Sequence, residues 1–94
     1  SGEISGDTAI LVDDVISTGG TIVENANALK AKGVKKIYVA ATHGVFAGNA
    51  IEKLENSPVD KIFITDSIPH KFQSDKVEIV SVASLIAETL KEEI

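Results

Sequence analysis

Ninety-four residues allow one small domain with a modest core, and 44% hydrophobic with 24% charged residues is the composition of an ordinary globular domain rather than a disordered chain. A net charge of −5 argues against nucleic acid as a partner, and the absence of Cys excludes disulfides and thiolate metal sites. No apolar run approaches the ~20 residues of a membrane span and no signal-peptide pattern opens the chain, so no membrane is expected and the compartment reads as cytoplasmic.

Apart from Ile4, residues 1–7 are Gly, Ser and acidic, which reads as a loop or frayed end. The chain contains no Met, so Ser1-Gly2 reads as an added remnant or a cut point rather than a natural start. Thr8 to Asp13 is a continuous apolar strand, the pattern of a strand buried on both faces of a parallel sheet. A helix is expected from Thr21 to about Lys32, with Ile22, Ala26 and Leu29 on its apolar face and Gly33 as its stop. Lys36 to Ala41 is again a strand. Asn49 to Asn56 reads as a short helix, with Ala50, Ile51 and Leu54 inward and Asn49 and Glu52 at capping-box spacing. After the Ser57-Pro58 turn come a strand Lys61 to Thr65, a loop Ile68 to Asp75 and a short strand Lys76 to Val80. The closing helix Val82 to Glu93 offers Val82, Leu85, Ile86 and Leu90 as its apolar face. Strands alternating with helices predict one α/β domain over residues 1–94, a parallel sheet with flanking helices. Three strands then end in Asp13-Asp14, Thr42-His43-Gly44 and Thr65-Asp66 on one carboxyl edge, where open α/β sheets bind ligands.

The first of those ends carries the chemistry. Ala9 to Ile22 runs Ala-Ile-Leu-Val-Asp-Asp-Val-Ile-Ser-Thr-Gly-Gly-Thr-Ile, an apolar strand, an acidic tip and a turn feeding a helix. Free backbone N–H groups and the helix dipole favour an anion there. Gly19 and Gly20 allow close approach, and the hydroxyls of Ser17, Thr18 and Thr21 can donate hydrogen bonds. Asp13 and Asp14 would repel a polyphosphate but suit the neutral hydroxyls of a sugar phosphate. A solvated strand end would explain the two carboxylates alone, but not the glycines and hydroxyls that follow. Thr21 and Glu24 also have capping-box spacing, a role compatible with anion binding. His43 reads as a hydrogen-bonded turn residue rather than a general base, His70 as a surface residue and Asp66 as a loop cap. The two His lack ligand spacing, so no protein metal site is expected. All nine cationic side chains are Lys. None lies in the turn; Lys30 and Lys32 belong to the far end of the helix, where its dipole favours them.

Residues Ile10 to Thr21 resemble the phosphoribosyl-binding motif of type I phosphoribosyltransferases and of ribose-phosphate diphosphokinases (PRPP synthetases). Thr42 to Ala50, Thr-His-Gly-Val-Phe-Ala-Gly-Asn-Ala, is similar to the diphosphokinase segment Thr-His-Gly-(Val/Leu)-Phe-Ser-Gly-Pro-Ala. Thr65 to Pro69 and Val80 to Glu88 continue the likeness in the family's order, over nearly all of residues 7–94. Ala47 and Asn49 depart from the usual Ser and Pro, and Ser17 stands where many members have Asp.

The resemblance implies the C-terminal portion of a type I phosphoribosyltransferase-like domain from a ribose-phosphate diphosphokinase. That enzyme moves the pyrophosphoryl group of Mg-ATP to the 1-hydroxyl of ribose 5-phosphate, giving phosphoribosyl pyrophosphate. Carried over by position, Ser17, Thr18, Gly19, Gly20 and Thr21 hold the 5-phosphate, while Asp13 and Asp14 accept from the 2- and 3-hydroxyls. The same two carboxylates order waters around a Mg²⁺ that the substrates coordinate. The family's ATP-binding half and basic catalytic loop are expected to lie outside this chain, which would be inactive alone and have no catalytic residue of its own. Homo-oligomers are expected, as in the family. Two other readings stand beside this one: a phosphoribosyltransferase using the same turn, and a non-catalytic chain, either a regulatory paralogue or an excised or engineered half-domain.

Overall fold

The computed structural model describes residues 2–66 and 74–81. Among the described residues, five strands form one sheet in the order β1-β2-β3-β4-β5: β1 (Gly2–Ser5), β2 (Thr8–Ile16), β3 (Lys36–Gly44), β4 (Lys61–Thr65) and β5 (Val77–Val80). Helix α1 (Gly20–Ala31) joins β2 to β3 and α2 (Ala50–Glu55) joins β3 to β4. Strands β2 to β5 are parallel, as the alternation of elements predicts.

Residues 2–5 are not a loop. They pair antiparallel with β2, Ser5 opposite Thr8, across the two-residue turn Gly6-Asp7. Gly6 has φ +62° while Asp7 does not turn positive, the geometry of a II′ hairpin, which suits glycine at the first central position. The turn imposes this strand, since residues 2–5, with Ile4 their one apolar side chain, carry no strand pattern of their own. The carbonyl of Asp7 then accepts the N–H groups of Lys35 and Lys36, tying the hairpin to the start of β3.

Strands β2 and β3 run three residues further than their apolar cores. Register pairs continue from Asp13 opposite Ala41 to Ile16 opposite Gly44, so the acidic pair lies inside a strand rather than at its end. Helix α1 closes as Gly33 predicts: at φ +97° it donates to Lys30 O while Val34 donates to Leu29 O, a Schellman motif. Lys30 lies in the last turn of α1, and Lys32 is its C-cap. Helix α2 has the expected limits, with Asn49 and Asn56 as its caps. Neither helix shows a side-chain hydrogen bond from its N-cap residue. The N-cap of α1 is Gly19 rather than Thr21, so neither capping box forms.

The core lies between the sheet and the two helices. Ile37, Val39, Ala41, Ile62 and Ile64 of the sheet meet Ile22, Ala26, Ala50 and Leu54 of the helices, all buried. The expectation of a strand covered on both faces does not hold for β2: Ile10 is 40% and Val12 49% exposed. The topology explains this. Right-handed crossovers from β2 to β3 to β4 step one way across the sheet, so both helices land on the same face. On the other face, among the described residues, Tyr38 and Phe63 lie with ring centroids 6.4 Å apart. The closing helix Val82 to Glu93, His70 and most of the Ile68 to Asp75 loop lie outside the described residues; Ser74 to Lys76 precede β5 without joining it.

Candidate functional site

The carboxyl ends of β2, β3 and β4 lie side by side, and β2 delivers its chain straight into α1. The turn between them is shaped by glycine. Gly19 has φ +78°, a conformation that costs an L side chain roughly 1–2 kcal/mol, and a Cβ there would touch the Leu54 side chain at 3.4 Å. The chain can therefore bend sharply into the helix while lying directly on α2. Gly19 O accepts the first helical bond from Val23 at 3.0 Å. That leaves the N–H groups of Gly20, Thr21 and Ile22 without intrahelical acceptors. Among the described residues, no acceptor meets the N–H of Thr18 or Gly19 either. Ser17, Thr18 and Thr21 are exposed, so their hydroxyls face solvent beside those amides.

Asp13 and residues Ser17 to Thr21 line one cleft of about 160 Å³. Asp13 also borders two neighbouring clefts, one of them a largely apolar hollow of about 190 Å³ with Val12, Ala40, Phe63 and Val80 in its wall. A carboxylate therefore stands at the junction of the turn and an apolar surface. Asp14 is exposed and does not line the turn's cleft, and its N–H donates to Asp13 Oδ1 at 2.8 Å. His43 is half-buried within β3, opposite Val15, and so is a strand residue rather than part of a turn. Thr42 O accepts from the Thr65 hydroxyl, linking the ends of β3 and β4, and Asp66 follows exposed.

The pattern of residues does not reveal what holds the turn from behind. Val45 and Phe46 donate their N–H groups to Ile16 O, both at 3.0 Å, and Ala47 donates to Ser17 O at 2.8 Å. Backbone bonds between distant segments have no side-chain signature. The available hint is the pair of glycines, Gly44 and Gly48, around an aromatic residue.

Comparison with known proteins agrees with this geometry. The model of the phosphoribosyl synthetase-associated domain family matches residues 1–93. Curated ribose-phosphate pyrophosphokinases are similar over almost the whole chain. The Aquifex aeolicus protein is 47% identical over 91 residues, covering 96% of this chain and 29% of its own length. The Oceanobacillus iheyensis protein is 50% identical over 92 residues, covering 95% and 29%. Among solved structures, a phosphoribosylpyrophosphate synthetase from Mycobacterium smegmatis superposes with a TM-score of 0.79 at 34% identity, over 93% of this chain and 31% of that one. The chain thus spans under a third of the length of the relatives it matches.

Proposed function

The chain belongs to the phosphoribosyl synthetase-associated domain family, and from that premise we propose that it is the ribose 5-phosphate-binding portion of a ribose-phosphate pyrophosphokinase, corresponding to its C-terminal part. The observation that carries the reading is one cleft holding both the free amides of the Ser17 to Thr21 turn and the carboxylate of Asp13. The phosphate takes the amides, the helix N-terminus and the hydroxyls of Ser17, Thr18 and Thr21. Asp13 accepts from a ribose hydroxyl, and Asp14, exposed at the next position of β2 and outside the cleft, is the acceptor for a second hydroxyl where the sugar extends beyond it. Their task is positioning, which brings the 1-hydroxyl of the sugar to the site of transfer.

Exposed carboxylates are the oxygen donors that Mg²⁺ prefers, and among the described residues no cluster of three or more acidic or His groups forms a cage. In this reading the ion is carried chiefly by substrate oxygens, with Asp13 and Asp14 holding its waters, and it neutralises charge on the transferred group. ATP and the cations that stabilise transfer are supplied by other parts of the longer enzyme. We further read the exposed Ile10 and Val12 as surface that self-associates, which sedimentation equilibrium of the chain tests: a clean monomer contradicts it.

Calorimetric titration of the chain with ribose 5-phosphate, ribose and inorganic phosphate tests the assignment. Ribose 5-phosphate is expected to bind more tightly than either part. Asp13→Asn is expected to weaken it while sparing inorganic phosphate, because the substitution removes a negative charge beside the anion. Ribose binding as tightly as ribose 5-phosphate would refute a phosphate-anchored site.

A further inference from the structure

The amides that face the turn's ligand are aimed by a second segment. A trans peptide unit points its N–H and C=O in opposite directions, and no described peptide is cis. Ile16 O is held by Val45 and Phe46, and Ser17 O by Ala47. The N–H groups of Ser17 and Thr18 share peptide units with those carbonyls, so they point away from residues 45–47, on the exposed side of the turn.

Three donors can converge on two adjacent carbonyls because the chain reverses at Phe46. Phe46 has φ +50°, the single non-glycine residue with positive φ among those described. Its side chain is buried, and its ring lies over Gly44, where a Cβ would come within 2.5 Å of the ring and 2.7 Å of Ile64. A strained backbone persists where the surroundings over-determine it. Here the ring's burial against Ile64 and the missing Cβ of Gly44 do so.

We propose that Phe46 is a positioning residue for ribose 5-phosphate. Its anchored ring keeps residues 45–47 on the carbonyls of Ile16 and Ser17, and so fixes the direction of the Ser17 and Thr18 N–H groups that receive the phosphate. This rests on the assignment of the turn as the sugar-phosphate site.

The test uses the whole 94-residue chain with ribose 5-phosphate. By linkage, a ligand that binds only the tethered turn must strengthen the tether by the same factor. Amide hydrogen exchange at Phe46 and Ala47 is expected to slow on binding by a larger factor than at Ile62 in the core. Phe46→Gly keeps the left-handed backbone accessible but removes the anchor; it is expected to weaken binding on the order of tenfold, with Phe46→Leu recovering part of the loss. Binding at the turn that leaves exchange at Phe46 and Ala47 unchanged overturns the inference, as does a folded Phe46→Gly chain that binds like the parent. Should Phe46→Gly fail to fold, exchange in the unaltered chain still decides. An unaltered chain with no response to ribose 5-phosphate removes the site assignment, and this inference falls with it.

Discussion

Replacing Gly44 with alanine puts a methyl carbon 2.5 Å from the Phe46 ring and 2.7 Å from Ile64 Cδ1. Carbon atoms attract best at about 3.5–4.0 Å, so both contacts lie roughly an ångström inside the optimum. Neither neighbour can yield freely, since Phe46 and Ile64 are both buried in the core. Overpacking of this kind costs about 1–3 kcal/mol. Gly44 does not have positive φ, so alanine brings no backbone strain there and gains about 0.4–1 kcal/mol by restricting the unfolded chain. The net expectation is a loss of about 1–2 kcal/mol, or a fall in Tm of about 5–15 °C for a domain of this size. Gly20→Ala is the matched comparison. Its Cβ would meet only Thr18 Oγ1, at 3.9 Å, and the same entropic gain makes it neutral or stabilising by about 0.5 kcal/mol. Urea unfolding followed by far-UV circular dichroism measures both. A Gly44→Ala chain as stable as the parent would refute the packing of Phe46 over Gly44, and with it the anchor beneath the anion turn.

Two further substitutions probe the frame that positions the site. Asp60 Oδ2 accepts the N–H of buried Ile37 at 2.8 Å, so Asp60→Ala is expected to cost about 1–2 kcal/mol in urea unfolding; Asp60→Asn, which keeps an acceptor, should recover most of it, and equal losses would contradict the bond. Lys76 Nζ donates to the carbonyls of Leu54, Glu55 and Ser57 at the end of α2, which carries Leu54 beneath Gly19. Lys76→Met is expected to lose about 1 kcal/mol, less at high salt, and a loss insensitive to salt would argue against a charge-based cap.

Much of this architecture is legible in the residues. Strand β4 matches its apolar run of Lys61 to Thr65, and α1 ends where Gly33 supplies the left-handed turn. The candidate site is also legible as composition: Asp13 and Ser17 to Thr21 do share a cleft. The geometry inside it is less so. Asp13 and Asp14 look equivalent in the chain, yet of the two only Asp13 lines the cleft. Thr21 fits a capping pattern, but the left-handed Gly19 starts the helix earlier and leaves Thr21 inside it. Residues 2–5 form a strand through the Gly6 turn and the partner β2 rather than through any pattern of their own. That both described helices cover one face while Ile10 and Val12 of β2 stay exposed on the other follows from the direction in which the crossovers step, which periodicity within a strand does not encode.

The central claim is that ribose 5-phosphate binds at the turn between β2 and α1. Mapping amide shifts of the ¹⁵N-labelled chain during titration with ribose 5-phosphate tests it most directly. The account predicts that the largest shifts fall on Thr18, Gly19, Gly20 and Thr21, with Asp13 following and Glu78 at the opposite edge of the sheet unmoved. Saturable shifts centred anywhere else, or none at all, would contradict it.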